Sequence, residues 1–275
     1  MSTQLPAARV NRSAFSMIGM LITMVCMLVL FVILMNSLNK AVTGQKTQQE
    51  GTVRSFEDKM YLSGFFQSML VNANVNKGEY LTPSRVARSD DPAWNTTANF
   101  YSAMVMEIAT LGYCRQLISG NEYSGYVQEK ADYDYTTYDP AQGVFWDQSF
   151  VADLKNLSNV SFAHVPLYGD RWKKNWRSTM DSTFPLVGNR GPEDGVNSSN
   201  SYACGRDGVW RGHIVFGDGH VDFIETPTPN GLTFVEDGRP VQDNIFSMED
   251  GSDGADAVLS FTKTMTKDGP QLQFD

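Results

Sequence analysis

Between Ala14 and Asn39 the chain carries no charged residue, and this run constrains what the whole can fold into. At about 1.5 Å per residue, a helix of that length is enough to cross a bilayer. A secretory signal peptide has an apolar region of only about 7–15 residues, followed by a small-residue cleavage site. The run is longer, no Ala-x-Ala follows it, and Cys26 is preceded by Thr23, Met24 and Val25 rather than a lipobox-like triplet. The pattern predicts a transmembrane helix over 15–38. Arg9 and Arg12 precede it with no acid nearby, which places the N-terminus in the cytoplasm and the remainder outside. Lys40 and Lys46 on the far side reduce that asymmetry.

The net charge is −9, from 31 acidic and 22 basic residues. Setting aside the two arginines before the span leaves 31 acids against 20 bases. Such a surface argues against nucleic acid and anionic lipid, and it suits cations or basic partners. About 235 residues follow the span, ample for one domain with its own core. Of three cysteines, Cys26 lies in the apolar run, so Cys114 and Cys204 are the pair available for a disulfide in an oxidising compartment.

Residues 39–76 read as a helical stem, with Phe56, Met60, Phe66, Met69 and Leu70 at roughly helical spacing. Gly44, Gly51 and Gly64 each weaken it, by about 1 kcal/mol relative to alanine. Residues 77–95 are rich in turn formers, and a second helix is predicted over 96–119, between a threonine cap and Gly120. From residue 121 onward, short apolar runs between Gly, Pro, Asn and Asp predict an irregular β-containing region. The sharpest local signal is WRGHIVFGDGHVDFIE, a hairpin at 210–225 turning at Asp218-Gly219. A two-residue turn there sets Phe216 opposite Val221 and Ile214 opposite Phe223, with His213, Val215, His220 and Asp222 on the other face. In that register the two histidines are too far apart to grip one metal ion.

Two separated pieces resemble one family. Arg12-Ser13-Ala14-Phe15-Ser16-Met17-Ile18-Gly19 resembles the N-terminal signal of bacterial type IV prepilins and type II secretion pseudopilins. The hairpin GHIVFGDGHVDF, with FPLVGNRGPEDG before it and VQDNIFSMEDG after it, is similar to the C-terminal region of prepilin-like proteins carrying an H-x9-DG processing-associated motif. The resemblance implies a basic leader over 1–14, cleavage between Ala14 and Phe15 by a prepilin peptidase, and N-terminal methylation. It implies a pilin-like α+β fold: a long N-terminal transmembrane helix continuing into the stem, then an exported domain over 77–275 with an antiparallel sheet. The implied role is that of a structural, non-catalytic minor subunit of a type II secretion or type IV pilus-like filament. Its partners would be other pilin-like subunits and the assembly machinery. It would be held once through the bacterial inner membrane, with its globular domain periplasmic or extracellular. Ser16, Gly19, Thr23 and Cys26 share one helix face, and small residues on a face allow close helix packing in lipid.

Three positions depart from that family. Ala14 stands where a glycine is preferred, Gly19 where most members carry glutamate, and Gly208 where the H-x9-DG histidine belongs.

Other readings compete. Asp132 and Asp134 form a DxD pair, as in a membrane-anchored glycosyltransferase, and an anchored binding domain is a further alternative. Ser260 and Lys263 match the S-x-x-K of serine acylases without the accompanying motifs. Trp172 and Trp176 form either a partner patch or part of a core. Asp250, Asp253 and Asp256 in MEDGSDGAD offer oxygens for calcium, or simply make an acidic solvent-exposed turn. Major pseudopilins hold calcium in a C-terminal loop, with a different spacing.

Overall fold

The computed structural model describes residues 55–107, 114–120, 122, 125–132, 134–178, 181–196 and 208–275. Helix α1 runs over 55–75. Leu62, Phe65, Phe66, Met69 and Ala73 recur along it three and four residues apart and are all buried, the stripe that lets a helix lie on a sheet. Two further helices follow, α2 (Pro83–Val86) and α3 (Thr97–Glu107).

The main sheet has four antiparallel strands in sequential order: β1 (Phe162–His164), β2 (Pro185–Asn189), β3 (Gly212–Phe216) and β4 (Val221–Ile224). Helix α1 packs against it, with the Phe65 ring edge-on to Phe162 of β1 at 5.7 Å and to Tyr101 of α3 at 5.6 Å. All five residues of β3 are buried, as expected of a strand flanked on both sides and covered on its faces. Two hairpins complete the chain, β5 (Thr233–Glu236) with β6 (Arg239–Gln242), and β7 (Phe261–Thr266) with β8 (Gly269–Gln273). A bridge between His164 and Ser260 ties β1 to the approach to β7.

The long transmembrane helix continuing into a stem is corrected by this structure. Among the described residues no helix is long and apolar enough to cross a membrane. Helix α1 opens with Glu57, Asp58 and Lys59, and it spends its apolar side on the sheet. The architecture is a mostly antiparallel β domain with short helices. The expected fold class is thereby overturned, together with the single-pass inner-membrane placement that sent the domain to the periplasm or exterior. The apolar run over 15–38 lies outside the described residues, as do Ala14, Phe15, Ser16, Gly19, Thr23 and Cys26.

The β3–β4 register is also corrected. His213 pairs with Phe223, Ile214 with Asp222 and Val215 with Val221, one residue away from the predicted pairing. The loop is longer than a two-residue turn: Gly219 donates its N–H to the Phe216 carbonyl (2.9 Å), and Phe216 donates to that of His220 (3.1 Å). Gly219 sits at φ +90°, the left-handed position that closes a three-residue hairpin with a bulge. A one-residue slip moves side chains to the opposite face, so the His213 ring meets Phe223 at 5.0 Å and Phe216 stacks on His220 at 4.5 Å.

Candidate functional site

Two features stand out once the core is accounted for. The first is the outer side of α1. Phe56, Met60, Val71 and Val75 are 62 %, 54 %, 61 % and 80 % exposed. With Gly64 and Gln67 between them, they fall four, four, three, four and four residues apart, a continuous stripe down one helix face. A Cβ at Gly64 would meet nothing within 4 Å, so the stripe carries a notch. That notch opens into a shallow groove of about 270 Å³ bordered by Met60, Tyr61, Ser68 and Val71.

The same helix is held rigidly from behind. Asp58, fully buried, accepts hydrogen bonds from the Ser119 hydroxyl (2.7 Å), the Gly120 N–H (2.9 Å) and the Asn189 amide of β2 (3.3 Å). Ser55 Oγ lies 3.2 Å from Nε2 of His213 on β3. Burial lowers the pKa of His213.

The second feature is an acidic cluster in the segment joining β6 to β7. Asp243, Glu249 and Asp256 each offer a carboxylate oxygen within 4.8 Å of the others. Arg171, wholly buried, donates through Nε to the Asp256 carbonyl (2.8 Å), through Nη1 to the Ser252 carbonyl (3.0 Å), and through Nη2 to Asp256 Oδ1. The other Asp256 oxygen accepts from the Glu249 N–H (2.9 Å). Asp243 accepts from the Ala257 N–H through Oδ2 (2.8 Å), and its carboxyl shares a hydrogen bond with that of Glu249. Burial, with the charge of Asp256, raises the Asp243 pKa, while the hydrogen bonds from Ala257 and Glu249 act against it. Glu249 is raised as well, by burial of its carboxyl end and by the Asp243 charge, although much of its side chain is in solvent.

This cluster is not the triplet predicted. Only Asp256 belongs to it. Asp250 caps its own loop by accepting from the Ala255 N–H (2.9 Å), and Asp253 is exposed, its backbone carbonyl taken by the Asp170 N–H (3.0 Å). Glu249 lies in the quoted MEDGSDGAD stretch but was not among the predicted ligands, Asp243 lies outside it, and no local spacing couples either of them to Arg171, far upstream.

The remaining candidates do not assemble into chemistry. Asp132 and Asp134 are exposed, and Asp134 accepts from the N–H and hydroxyl of Thr136 in a local turn (2.9 and 2.6 Å). Ser260 is buried, while Lys263 is outside and paired with Asp153 at 2.6 Å. Asp218 holds His220 at 2.5 Å across the turn. Trp176 is a core residue, donating to the Leu81 carbonyl (2.9 Å), and Trp172 is half-buried beside it, donating to Thr82 Oγ1 (3.2 Å). Cys204 lies outside the described residues, and with it the Cys114–Cys204 disulfide.

In comparison with known proteins, no family model, no curated protein and no solved structure matches the chain.

Proposed function

We propose that this chain is a non-catalytic structural subunit, the role that the pilin-like resemblance of its N-terminal signal implies, and that it assembles through the outer face of α1. The observation that carries the reading is the Phe56–Val75 stripe. Among the described residues nothing covers the two apolar pairs, Phe56 with Met60 and Val71 with Val75, and exposed apolar surface marks an interaction site. The occupant is the corresponding helix of a like subunit. The stripe runs for about 28 Å at 1.5 Å per residue, and Gly64 lets a neighbouring backbone come close. Other pilin-like subunits, a prepilin peptidase acting between Ala14 and Phe15, and an assembly machinery are the partners that belong to this role.

Helix-to-helix crosslinking tests it. Cysteines introduced at Met60 and Val71 in the full-length chain should form oxidative crosslinks between copies, or to other filament subunits in the native host. The pair Phe56→Glu and Val71→Glu should abolish those adducts while leaving the melting temperature of the domain unchanged. Unaltered assembly of the double variant would overturn the reading. N-terminal sequencing of the native protein should begin at Phe15.

A further inference from the structure

We propose that the free edge of β4 is a docking site for an extended, basic peptide segment of another protein, which joins the sheet as a fifth strand. The proposal does not rest on the assembly role of α1. The four-stranded sheet has two outer edges. That of β1 is taken, since His164 and Ser260 exchange both backbone hydrogen bonds (3.3 and 3.2 Å). That of β4 is not. Hydrogen-bonded and non-hydrogen-bonded pairs alternate along an antiparallel ladder. The Phe216 N–H donates to the His220 carbonyl (3.1 Å), so beyond the turn the pairs Ile214–Asp222 and Gly212–Ile224 carry the bonds to β3. The N–H and carbonyl groups of Val221 and Phe223 therefore point away from β3, and among the described residues nothing bonds to them. Such a row of unpaired main-chain groups is a template for another strand.

The side chains along that edge define the occupant. Phe223 is exposed yet lies on the α1 face of the sheet, where its ring meets His213, itself in contact with Ser55 of α1. Asp222 projects from the opposite face, and both it and Glu225, just past the strand, stand in solvent. Asp218 in the turn adds a third carboxylate. The positive or titratable groups facing these acids are Arg211, 3.9 Å from Glu225, and His220, between Asp218 (2.5 Å) and Asp222 (3.8 Å). An incoming strand with an apolar side chain beside Phe223 and a lysine or arginine beside Asp222 complements both, and the period of two delivers them to opposite faces. A second copy is the poorer occupant. Two-fold pairing of β4 with itself sets Asp222 near its own counterpart, and like charges opposed across strands are destabilising. In this mode of recognition main-chain bonds supply affinity and alternate side chains supply selectivity.

A labelled, amidated peptide of about seven residues alternating lysine with valine, titrated into the full-length chain, should bind saturably at one site per chain. Hydrogen exchange at the Phe223 amide should slow at least tenfold, with little change at Asp222, whose N–H already bonds to β3. The same peptide methylated on its valine nitrogens, which face Phe223, should bind at least tenfold more weakly. Phe223→Pro removes an outward N–H, leaves the charge unchanged and spares the main-chain bonds to β3. It should weaken binding at least tenfold, a loss that bare attraction between a basic peptide and an acidic surface does not produce. Asp222→Lys with Glu225→Lys, both at exposed side chains, keeps the test open if the proline variant fails to fold. That double variant should bind the lysine peptide at least tenfold more weakly and gain binding of a glutamate–valine peptide. Absence of saturable binding to the wild type would overturn the proposal, as would equal binding of the methylated peptide. A dimer of the Phe56→Glu and Val71→Glu variant that Phe223→Pro dissolves would overturn it in favour of a second copy.

Discussion

Phe66 of α1 lies directly against Gly219 in the β3–β4 turn: a Cβ added to Gly219 would come within 2.3 Å of the Phe66 ring. One glycine therefore serves two ends. It supplies the left-handed backbone at φ +90° that closes the hairpin, and it leaves the space into which the helix seats its aromatic ring.

Gly219→Ala should destabilise the domain by about 2–4 kcal/mol, combining the backbone cost of a left-handed non-glycine residue with overpacking against a buried ring. Gly238→Ala provides the control. It has φ +76° but nothing within 4 Å of the added Cβ, so it should cost only the backbone part, about 1–2 kcal/mol. Urea denaturation of both variants checks the difference, and equal losses would show that the Phe66 contact is unimportant.

Asp58 is the polar counterpart of that seat. Its carboxylate, buried, collects donors from Ser119, Gly120 and Asn189. Asp58→Ala strands those donors, and loss of a buried hydrogen-bonded carboxylate costs on the order of 3 kcal/mol. Ser119→Ala removes one donor only and should cost about 1 kcal/mol. Hydrogen exchange on α1 amides should accelerate in Asp58→Ala ahead of those in β2 and β3, because the helix loses its anchor first.

How much of this was legible beforehand depends on the range over which each feature is decided. The helical spacing of Phe66 and Met69 predicted an apolar face, and both are buried. Phe56 and Met60 belonged to the same periodic set yet ended outside. Periodicity places residues on faces, but only the sheet decides which face is covered. Asp218-Gly219 signalled a turn, but the dipeptide alone did not separate a two-residue loop from the observed one, in which Gly219 takes the left-handed position against Phe66. The middle of the chain holds together through isolated bridges such as Val127 to Ser158 and Ala152 to Ser158. These have no period to read. Of the acidic site only Asp256 was visible, because Arg171 and Asp243 reach it through chain topology. The predicted long helix, a span continuing into a stem, failed for a different reason: amphipathic spacing in 55–75 served packing on a sheet.

Arg171 and Asp256 form an ion pair with both side chains fully buried. Such a pair contributes little net stability while intact, but breaking it is expensive because the survivor is left charged and unsolvated. Arg171→Met should therefore cost about 3–5 kcal/mol. The double variant Arg171→Met with Asp256→Leu should recover a large part of that. Thermal unfolding of the two checks this, and a double variant as unstable as the sum of the singles would contradict it.

His164 gives the pH dependence. It is fully buried among Phe100, Tyr101 and Trp176, and its hydrogen bonds fix the tautomer. Nδ1–H donates to the Val165 carbonyl (2.8 Å), which can only accept, so Nε2 accepts from the Thr97 hydroxyl (2.9 Å). Thr97 Oγ1 in turn accepts from the Thr262 N–H of β7 (2.7 Å). Burial pulls the His164 pKa down to about 4 from its ordinary 6.5. The unfolded chain thus takes up a proton on this imidazole near pH 6.5, and the folded chain only near pH 4. Between those values the unfolded state binds more protons, so stability falls as the pH falls, by about 3 kcal/mol across the window. Asp243 and Glu249 act with the opposite sign, since their folded carboxyls are raised and take up protons first as acid is added. A matched variant separates the two effects. His164→Gln should cost about 1–2 kcal/mol at pH 8 through imperfect hydrogen bonding. Its stability should then decline less steeply than that of the wild type from pH 6.5 to 4, so that the two curves converge or cross. Chemical denaturation at half-unit pH intervals gives both curves, and parallel profiles would remove His164 as the origin of the acid sensitivity.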